Sequence, residues 1–287
     1  MTLVLEAFAK VNRSLLVLGR RPDGYHEIDT LFTTIDLSDE LRFEEAPALT
    51  LSAGGIELPE DGTNLVLRAA QALSAHVGTS RGARIRLAKR IPVGAGLGGG
   101  SADAAAALLG LNALWGLGVP AADLAPVAAS VGSDVPFFLV GGRARGTGRG
   151  ERIEPLPDAP EESLVLLLPP FAMSTPEVYR ALGAPPVPDP LPAPVDAERL
   201  PDRNDLEAAA GRLRPEVVSL RAALLAEGAV SARLSGSGST VYGVFRTGEE
   251  ARRAADVLGR RERIRAVVTR TVPRAVWSRR AVPHSLR

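Results

Sequence analysis

Cysteine is absent from the 287-residue chain, and histidine occurs only three times. Without cysteine there is no thiol nucleophile, disulfide or thiolate zinc site, and so few histidines argue against a histidine-based metal site. We therefore expect no zinc site of either kind and assign no metal-binding residue. The 34 basic and 33 acidic side chains nearly cancel, so we expect no attraction to nucleic acid or to an anionic membrane.

Long apolar runs are missing too. The longest mostly apolar stretch, 104–119, is short for a membrane span and is interrupted by glycine and asparagine. The first residues, MTLVLEAFAKVNRSL, contain neither the basic segment nor the long apolar segment of a signal peptide. We expect a cytoplasmic protein without a membrane partner, and the residues leave open whether it is a monomer or a homodimer.

Lysine is almost as scarce, because nearly all basic residues are arginine and the only lysines are Lys10 and Lys89. In a chain with this bias, each lysine that is kept suggests a chemical reason for it. Lys10 falls in the segment AKVN near the end of a predicted strand, and we expect it to be functional. Lys89 stands beside Arg90 on another predicted strand, and for it we expect no particular role.

What remains is an ordinary globular composition, with 45% hydrophobic and 23% charged residues. Short strands dominate the first half, and the alternating segment ARIRLAKRIP (83–92) predicts a half-exposed antiparallel strand. Apolar residues at helical spacing predict helices that begin at Asn64, near Ser101 and at Ala121. Strands and helices also mix in the second half. The pattern predicts an α+β protein with two domains, 1–155 and 156–287.

The most informative segment is the glycine-rich PVGAGLGGGSADAAA, Pro92 to Ala106. Glycines tolerate positive φ and let backbone N–H groups approach a ligand. The helix that follows points its positive end at whatever the loop holds, which favours phosphate. A flexible connection with Ser101 as helix N-cap is the alternative, but so many glycines would be an entropic burden without a ligand.

Other phosphate-binding patterns fit less well. Gly94, Gly96 and Gly99 formally satisfy G-x-G-x-x-G, which is typical of dinucleotide-binding proteins. The preceding strand, however, is amphipathic, and no second strand ends in an acidic residue at the expected distance. The Walker A pattern is excluded because the chain contains no Gly-Lys pair.

Three segments together resemble the GHMP kinases, the small-molecule kinases of the galactokinase, homoserine, mevalonate and phosphomevalonate type. They are the P-x-x-x-G-L-G loop, the N-terminal AKVN (9–12) and the C-terminal SGSGSTV (235–241). The resemblance implies the two-domain α+β GHMP kinase fold, an N-terminal mixed β/α domain followed by a C-terminal α/β sandwich domain. It also implies ATP as phosphoryl donor, with Mg²⁺. Many members carry a serine pair where this chain has Gly99 and Gly100, which puts a protein ligand to the metal in doubt.

The resemblance also assigns the residues that contact ATP. Asn64 matches the position near adenine, although it would serve equally well as the N-cap of its helix. The phosphates would lie against the loop residues Pro92, Gly94, Ala95, Gly96, Leu97, Gly98, Gly99, Gly100 and Ser101. We expect Gly236 and Gly238 to form a turn that packs against this loop without touching the ligand.

Phosphoryl transfer needs a group that positions or deprotonates the attacking hydroxyl, and positive charge near the moving phosphoryl group. By itself, Asp134 in GSDVPFF predicts an N-cap with Pro136 just inside a short helix. The resemblance instead implies that Asp134 is the catalytic carboxylate, which accepts the proton of the acceptor hydroxyl. Lys10 would then lie beside Asp134, keep it ionised and stabilise developing charge.

The acceptor pocket resembles that of family members which phosphorylate the 2-hydroxyl of a cytidine-diphosphate-linked methylerythritol, in the non-mevalonate isoprenoid pathway. That resemblance places Asn12, Tyr25, His26, Phe32, Asp134, Thr175 and Tyr179 around the acceptor. Aromatic rings would stack on cytosine while His26 and its backbone read the edge of the base. Packing in the core is the alternative for Phe32. As other functions we keep a homoserine or mevalonate kinase and a non-catalytic nucleotide-binding protein.

Overall fold

The structure, a computed structural model, describes residues 2–55, 58–192, 196–197 and 200–287. Within these ranges the chain forms two β-sheets, each covered by helices. The strands of the first sheet are β1 (Leu3–Arg20), β2 (His26–Ala46), β3 (Thr50–Gly54), β4 (Gly82–Ala88), β5 (Arg143–Gly148) and β6 (Arg152–Leu156). The strands of the second sheet are β7 (Ser163–Leu168), β8 (Ser231–Leu234), β9 (Val241–Phe245) and β10 (Arg265–Arg270).

The helices alternate with these strands in an α+β arrangement, which confirms the predicted fold class. Those before β7 are α1 (Leu65–Val77), α2 (Gly99–Leu114), α3 (Ala121–Val131) and a 3-10 helix (Val135–Leu139). Those after β7 are α4 (Thr175–Leu182), α5 (Glu207–Leu213), α6 (Glu216–Ala226), α7 (Gly248–Arg261), α8 (Arg274–Ala281) and a 3-10 helix (His284–Leu286). No helix among the described residues is both long and apolar enough to cross a membrane.

The first sheet is built around β2, which pairs antiparallel with β1, β4 and β5. The sequence predicted only short strands in this half, whereas β1 is continuous over 18 residues and β2 over 21. Register shifts interrupt the β1–β2 ladder between Phe8 and Lys10 and again between Asn12 and Ser14. Bulges of this kind change the direction in which side chains point. These two lie at the start and the end of the AKVN segment.

Local signals set several boundaries. Asn64 caps α1 by accepting a hydrogen bond from the backbone N–H of Val66, at 2.9 Å. Strand β4 alternates buried and exposed residues, as predicted, because one face packs on the first core. Helix α7 passes through Gly259, although glycine often ends a helix. The helix continues to Arg261, since its apolar face still packs on the second sheet and the penalty for an internal glycine is only about 1 kcal/mol.

Three groups of buried side chains form the core. The first lies between the first sheet and α1–α3, and α8 returns to it through Trp277 and Ala281. The second lies between the second sheet and α4–α7. The third joins the halves, with Val11 and Leu97 among residues that pack with Leu166 and Tyr242. The two halves therefore share a core directly beneath the glycine loop.

Residues 183–201 are rich in proline, which predicts a surface loop with polyproline character. Residues 193–195 and 198–199 of this segment lie outside the described part of the chain. In the described part, the backbone N–H of Val187 donates to the carbonyl of Arg20 at 2.9 Å. The segment is thus hydrogen-bonded to the end of β1.

Candidate active site

A cleft of about 1270 Å³ opens between the glycine loop, the β1–β2 hairpin and α4. Pockets for a single drug-sized ligand occupy roughly 300–1,000 Å³, so this cleft has room for more than one. Every site residue predicted from the sequence lines it: Lys10, Asn12, Tyr25, His26, Phe32, Asn64, Pro92, Gly94, Ala95, Gly96, Leu97, Gly98, Gly99, Gly100, Ser101, Asp134, Thr175 and Tyr179.

The glycine loop adopts the backbone that a phosphate site requires. Gly94, Gly96 and Gly98 have φ of +66°, +76° and +70°, a region that L-residues with side chains rarely adopt. Helix α2 begins at Gly99 with Gly98 as its N-cap, and no side chain caps it. Ser101 therefore lies in the first turn and is not the cap. The first N–H groups of this helix have no intrahelical partner and face the cleft as donors for an anion.

The loop is held from the opposite half of the chain. The hydroxyl of Ser235 donates to the carbonyl of Gly96 at 2.8 Å, and the N–H of Thr240 donates to the carbonyl of Ala95 at 3.1 Å. A Cβ at Gly96 would lie 2.1 Å from the carbonyl oxygen of Ser235. The turn that contains Gly236 and Gly238 thus packs against the loop, as the sequence predicted, although Gly236 also lines the cleft.

Lys10 and Asp134 form the charged centre of the cleft, with 3.5 Å between Nζ and Oδ2. Lys10 is buried, and its Nζ also donates to Oδ1 of Asn12 at 2.5 Å. Burial lowers the pKa of the Lys10 ammonium, and the nearby Asp134 carboxylate partly offsets that effect. The Asp134 side chain makes no capping bond to the 3-10 helix that follows it. Its carboxylate, one-third exposed, is therefore available to a ligand.

A short chain of hydrogen bonds orients Asn12 beneath this pair. Its Nδ2 donates to Oγ1 of Thr30 at 2.7 Å, and that hydroxyl donates to the carbonyl of Ser14 at 2.6 Å. The hydroxyl of the buried Tyr242 donates to the backbone carbonyl of Asn12 at 2.9 Å. Asn12 is thereby fixed by both sheets, and it presents a fixed acceptor to Lys10.

The aromatic side chains lie at the other end of the cleft. The rings of His26 and Tyr179 stack with centroids 4.6 Å apart, while Tyr25 is 52% exposed. Burial lowers the pKa of His26, and the charge of Arg20 lowers it further. Thr175 shares a hydrogen bond of 2.7 Å with the hydroxyl of Ser237.

Phe32 is 1% exposed and packs on Phe137, with ring centroids 4.9 Å apart. Its ring also lies 5.5 Å from the Lys10 ammonium. Phe32 therefore forms part of the floor of the cleft, below the Lys10–Asp134 pair, and most of its side chain is packed in the core.

The expectation that Lys89 has no particular role was wrong. Lys89 is buried, and its ammonium contacts the carboxylates of Asp39 and Asp103, the latter at 2.9 Å. A Cβ at Gly99 would lie 2.8 Å from Nζ of Lys89. The cluster thus ties β2, the end of β4 and the first turns of α2 together beneath the glycine loop. Burial raises the pKa of Asp103 to about 8, with Asp39 adding to the rise and Lys89 opposing it.

Comparison with known proteins identifies the family to which the chain belongs. The profile of the GHMP kinases N terminal domain matches residues 64–142, and the GHMP kinases C terminal profile matches residues 196–263. The 4-diphosphocytidyl-2-C-methyl-D-erythritol kinase of Moorella thermoacetica is 46% identical over 284 residues, which cover 94% of this chain and 99% of that protein. The chain belongs to this kinase family.

Solved structures agree with that assignment. A crystal structure of 4-(cytidine 5'-diphospho)-2C-methyl-D-erythritol kinase superposes with a TM-score of 0.78 at 40% identity, covering 94% of this kinase and 99% of that chain. Homoserine kinase from Cytophaga hutchinsonii superposes with a TM-score of 0.71 at 20% identity, covering 95% of each chain. The second likeness shows a common fold alone. The family predicted from three short motifs is confirmed.

Sequence reasoning missed several residues of this kinase that line the cleft, among them Arg20, Ser133, Arg149 and Arg180. Arginine is the common basic residue of the chain, so nothing in its local pattern marks these positions. Asp103 was missed for another reason. It lies inside an alanine-rich helix, where an isolated carboxylate predicts a solvent-exposed position, and only the fold places it against Lys89.

Proposed function

We propose that this kinase transfers the γ-phosphoryl group of ATP to the 2-hydroxyl of 4-diphosphocytidyl-2-C-methyl-D-erythritol. One observation carries the proposal. A single cleft joins the glycine loop, the Lys10–Asp134 pair and the aromatic side chains of His26 and Tyr179. A phosphate donor and a base-linked acceptor would thus meet at a carboxylate. The family relatives named for this reaction support the choice of acceptor.

The triphosphate would lie along the glycine loop, with its terminal phosphate toward the N-terminus of α2. Adenine would lie toward Asn64, whose side chain caps α1 and also lines the cleft. Mg²⁺ in such sites commonly arrives on the nucleotide phosphates and keeps several waters. We therefore assign no protein ligand to it, in keeping with glycine at positions 99 and 100.

In the proposed reaction, Asp134 accepts the proton of the 2-hydroxyl as that oxygen attacks the γ-phosphorus. The bond between the γ-phosphorus and the β,γ-bridging oxygen breaks, and ADP leaves. Lys10 lies 3.5 Å from the carboxylate, so its ammonium would orient Asp134 and stabilise charge on the transferring group. Because Lys10 is buried, its charge acts in a medium of low dielectric constant and is effective.

The cytosine would bind at the aromatic end of the cleft. The 4.6 Å between the rings of His26 and Tyr179 leaves no room for a base between them. The base would therefore stack on Tyr25 and take over the face of Tyr179 that His26 covers. His26 would then move to the edge of the base and form a hydrogen bond there. Thr175 would contact the acceptor from the start of α4.

An acceptor panel tests the proposal: ATP turnover is measured with the cytidine-diphosphate-linked methylerythritol, homoserine and mevalonate. We expect turnover with the first alone. Asp134→Asn should lower kcat by roughly 10²–10⁴-fold while ATP still binds. Asp123→Asn removes the same charge at an exposed position of α3 and is the matched control. Near-normal kcat in Asp134→Asn would show that this carboxylate has no part in the mechanism. Turnover of homoserine or mevalonate would show that the proposed acceptor is wrong.

The two sheets suggest how the chain divides into domains. We propose two domains, 1–155 and 156–287, with the boundary at the end of β6, just before the connection 157–162 between the two sheets. Helix α8 packs on the first core, so the second domain would also contribute to the first. We propose a cytoplasmic enzyme, since both substrates are charged metabolites, and a monomer or homodimer.

A further inference from the structure

The proposed acceptor has three parts, and two have been placed. The base would bind near Tyr25 and Tyr179, and the reacting hydroxyl would lie at Asp134. Between them the acceptor carries a diphosphate with at least two negative charges. A cleft that binds it needs cationic donors at this position, because Asp134 itself repels phosphate.

Arg149 is at this position. It lies on the tight turn between β5 and β6, and its guanidinium carbon is 4.8 Å from the ring centroid of Tyr25. The next residue, Gly150, lies beside the catalytic carboxylate, since a Cβ there would be 3.8 Å from Oδ1 of Asp134. The turn therefore connects the base end of the cleft with its reacting end, and Arg149 lines the space between them.

The guanidinium of Arg149 is incompletely engaged. Its Nε lies 3.7 Å from Oε1 of Glu151, whose Oε2 accepts the backbone N–H of Arg149 at 2.6 Å. Among the described residues, no hydrogen bond uses its two terminal nitrogens, and the side chain is 27% exposed. Arginine held over an aromatic ring presents its planar edge, and this edge matches two phosphate oxygens.

Neighbouring charges favour the same site. Arg20 and Arg180 also line the cleft, as do the carboxylates of Asp23 and Asp134. Arg20 lies near the imidazole of His26, whose pKa its charge lowers, and Arg180 follows Tyr179 on α4. Arg20 therefore lies toward the base. Arg149, next to the glycine that lies beside Asp134, is placed between the base and the carboxylate.

We infer that Arg149 binds the diphosphate of the acceptor and so selects for an acceptor that carries one. This inference rests on the proposed function. It also gives the cleft a physical reason to reject homoserine and mevalonate, which would leave the guanidinium without a partner. Because the diphosphate does not react, binding it contributes equally to the ground state and the transition state.

Calorimetry with two probes tests the inference. CDP and cytidine are titrated into the wild type, Arg149→Ala and Arg149→Lys, each saturated with a non-hydrolysable ATP analogue so that the probes cannot occupy the donor site. We expect Arg149→Ala to bind CDP about 10- to 100-fold more weakly and cytidine equally well. Arg149→Lys should recover part of the lost CDP affinity, because lysine keeps the positive charge but cannot donate to two phosphate oxygens in one plane.

Arg152→Ala is the matched control, an exposed arginine on the same hairpin, and it should bind both probes as the wild type does. In turnover, Arg149→Ala should raise KM for the acceptor and leave kcat and KM for ATP nearly unchanged. Melting curves of all variants establish that each is folded.

The possible failures are distinguishable. If the wild type turns over the cytidine-linked acceptor and Arg149→Ala binds CDP normally, the inference is wrong and the proposed function stands. Equal weakening of CDP and cytidine would mean that Arg149 only supports the ring of Tyr25, which also overturns it. If the wild type neither binds CDP nor uses this acceptor, the proposed function fails, and the inference fails with it.

Discussion

Gly96 offers a sharp test of how the glycine loop is built. Its φ of +76° strains any side chain, at roughly 1–2 kcal/mol for an alanine. A Cβ would also lie 2.1 Å from the carbonyl oxygen of Ser235 and 2.9 Å from that of Gly238. The first distance is about 1.4 Å short of an ordinary contact of roughly 3.5 Å, and its partner is backbone that cannot rotate away.

Gly96→Ala must therefore separate the loop from the turn that holds it. Overpacking of this kind costs about 1–3 kcal/mol, so the total loss of unfolding free energy should be about 2–5 kcal/mol. Gly116→Ala is the matched control. Its φ is +63°, and no atom lies within 4 Å of a Cβ at that position. It should lose only the roughly 1–2 kcal/mol that positive φ imposes.

Urea denaturation of both variants measures the difference, and ATP kinetics at a temperature where both are folded measures its consequence. A displacement of about 1 Å in a substrate-positioning group can lower the rate by roughly 10²-fold. We expect a loss of that order in kcat/KM for ATP in Gly96→Ala and none in Gly116→Ala. Equal destabilisation of the two variants, or normal ATP kinetics in Gly96→Ala, would refute this account of the loop.

Two further predictions concern Asp103 and Tyr179. Burial raises the pKa of Asp103 to about 8 from its ordinary 3.8, so the folded state holds a proton that the unfolded state loses, and this contribution to stability disappears as pH rises from about 4 to 8. In urea denaturation across that range, Asp103→Asn should gain stability relative to the wild type as pH rises; a constant difference would contradict the assignment. Tyr179→Ala should weaken acceptor binding by roughly 1–3 kcal/mol and leave ATP affinity unchanged, whereas Tyr179→Phe should change little. Calorimetry with each ligand checks this, and equal loss of both ligands would indicate a packing role instead.

Much of the candidate site is contiguous in sequence and was predictable for that reason. The glycine loop and the start of α2 follow from residues 92–106 alone, since positive φ, helix onset and anion affinity are local properties. The α+β class followed from periodicity. The full length of β2 was missed, because threonines and acidic residues interrupt the apolar pattern in its first half. Pairing with β1, β4 and β5 nevertheless keeps these residues in the sheet.

The role of a polar residue depended on partners that no local pattern reveals. Lys10 and Lys89 both follow alanine in predicted strands, yet the first faces a half-open cleft and the second is enclosed by two carboxylates. For Asp134, the residues alone predicted a helix cap, and only the family resemblance implied a catalytic role. The fold instead leaves its carboxylate free of capping bonds and opposite Lys10.

By itself, then, the sequence determined the family, the fold class, the glycine loop and many of the residues that line the cleft. It did so because motif spacing and hydrophobic period are carried by neighbouring residues. Only the tertiary structure decided that Lys89 supports the loop and that Arg149 lies over Tyr25, next to a glycine that lies beside Asp134. These contacts depend on the register of β2 and the closure of the β5–β6 turn. Both are set by packing between distant segments, whose energies no short stretch of chain contains.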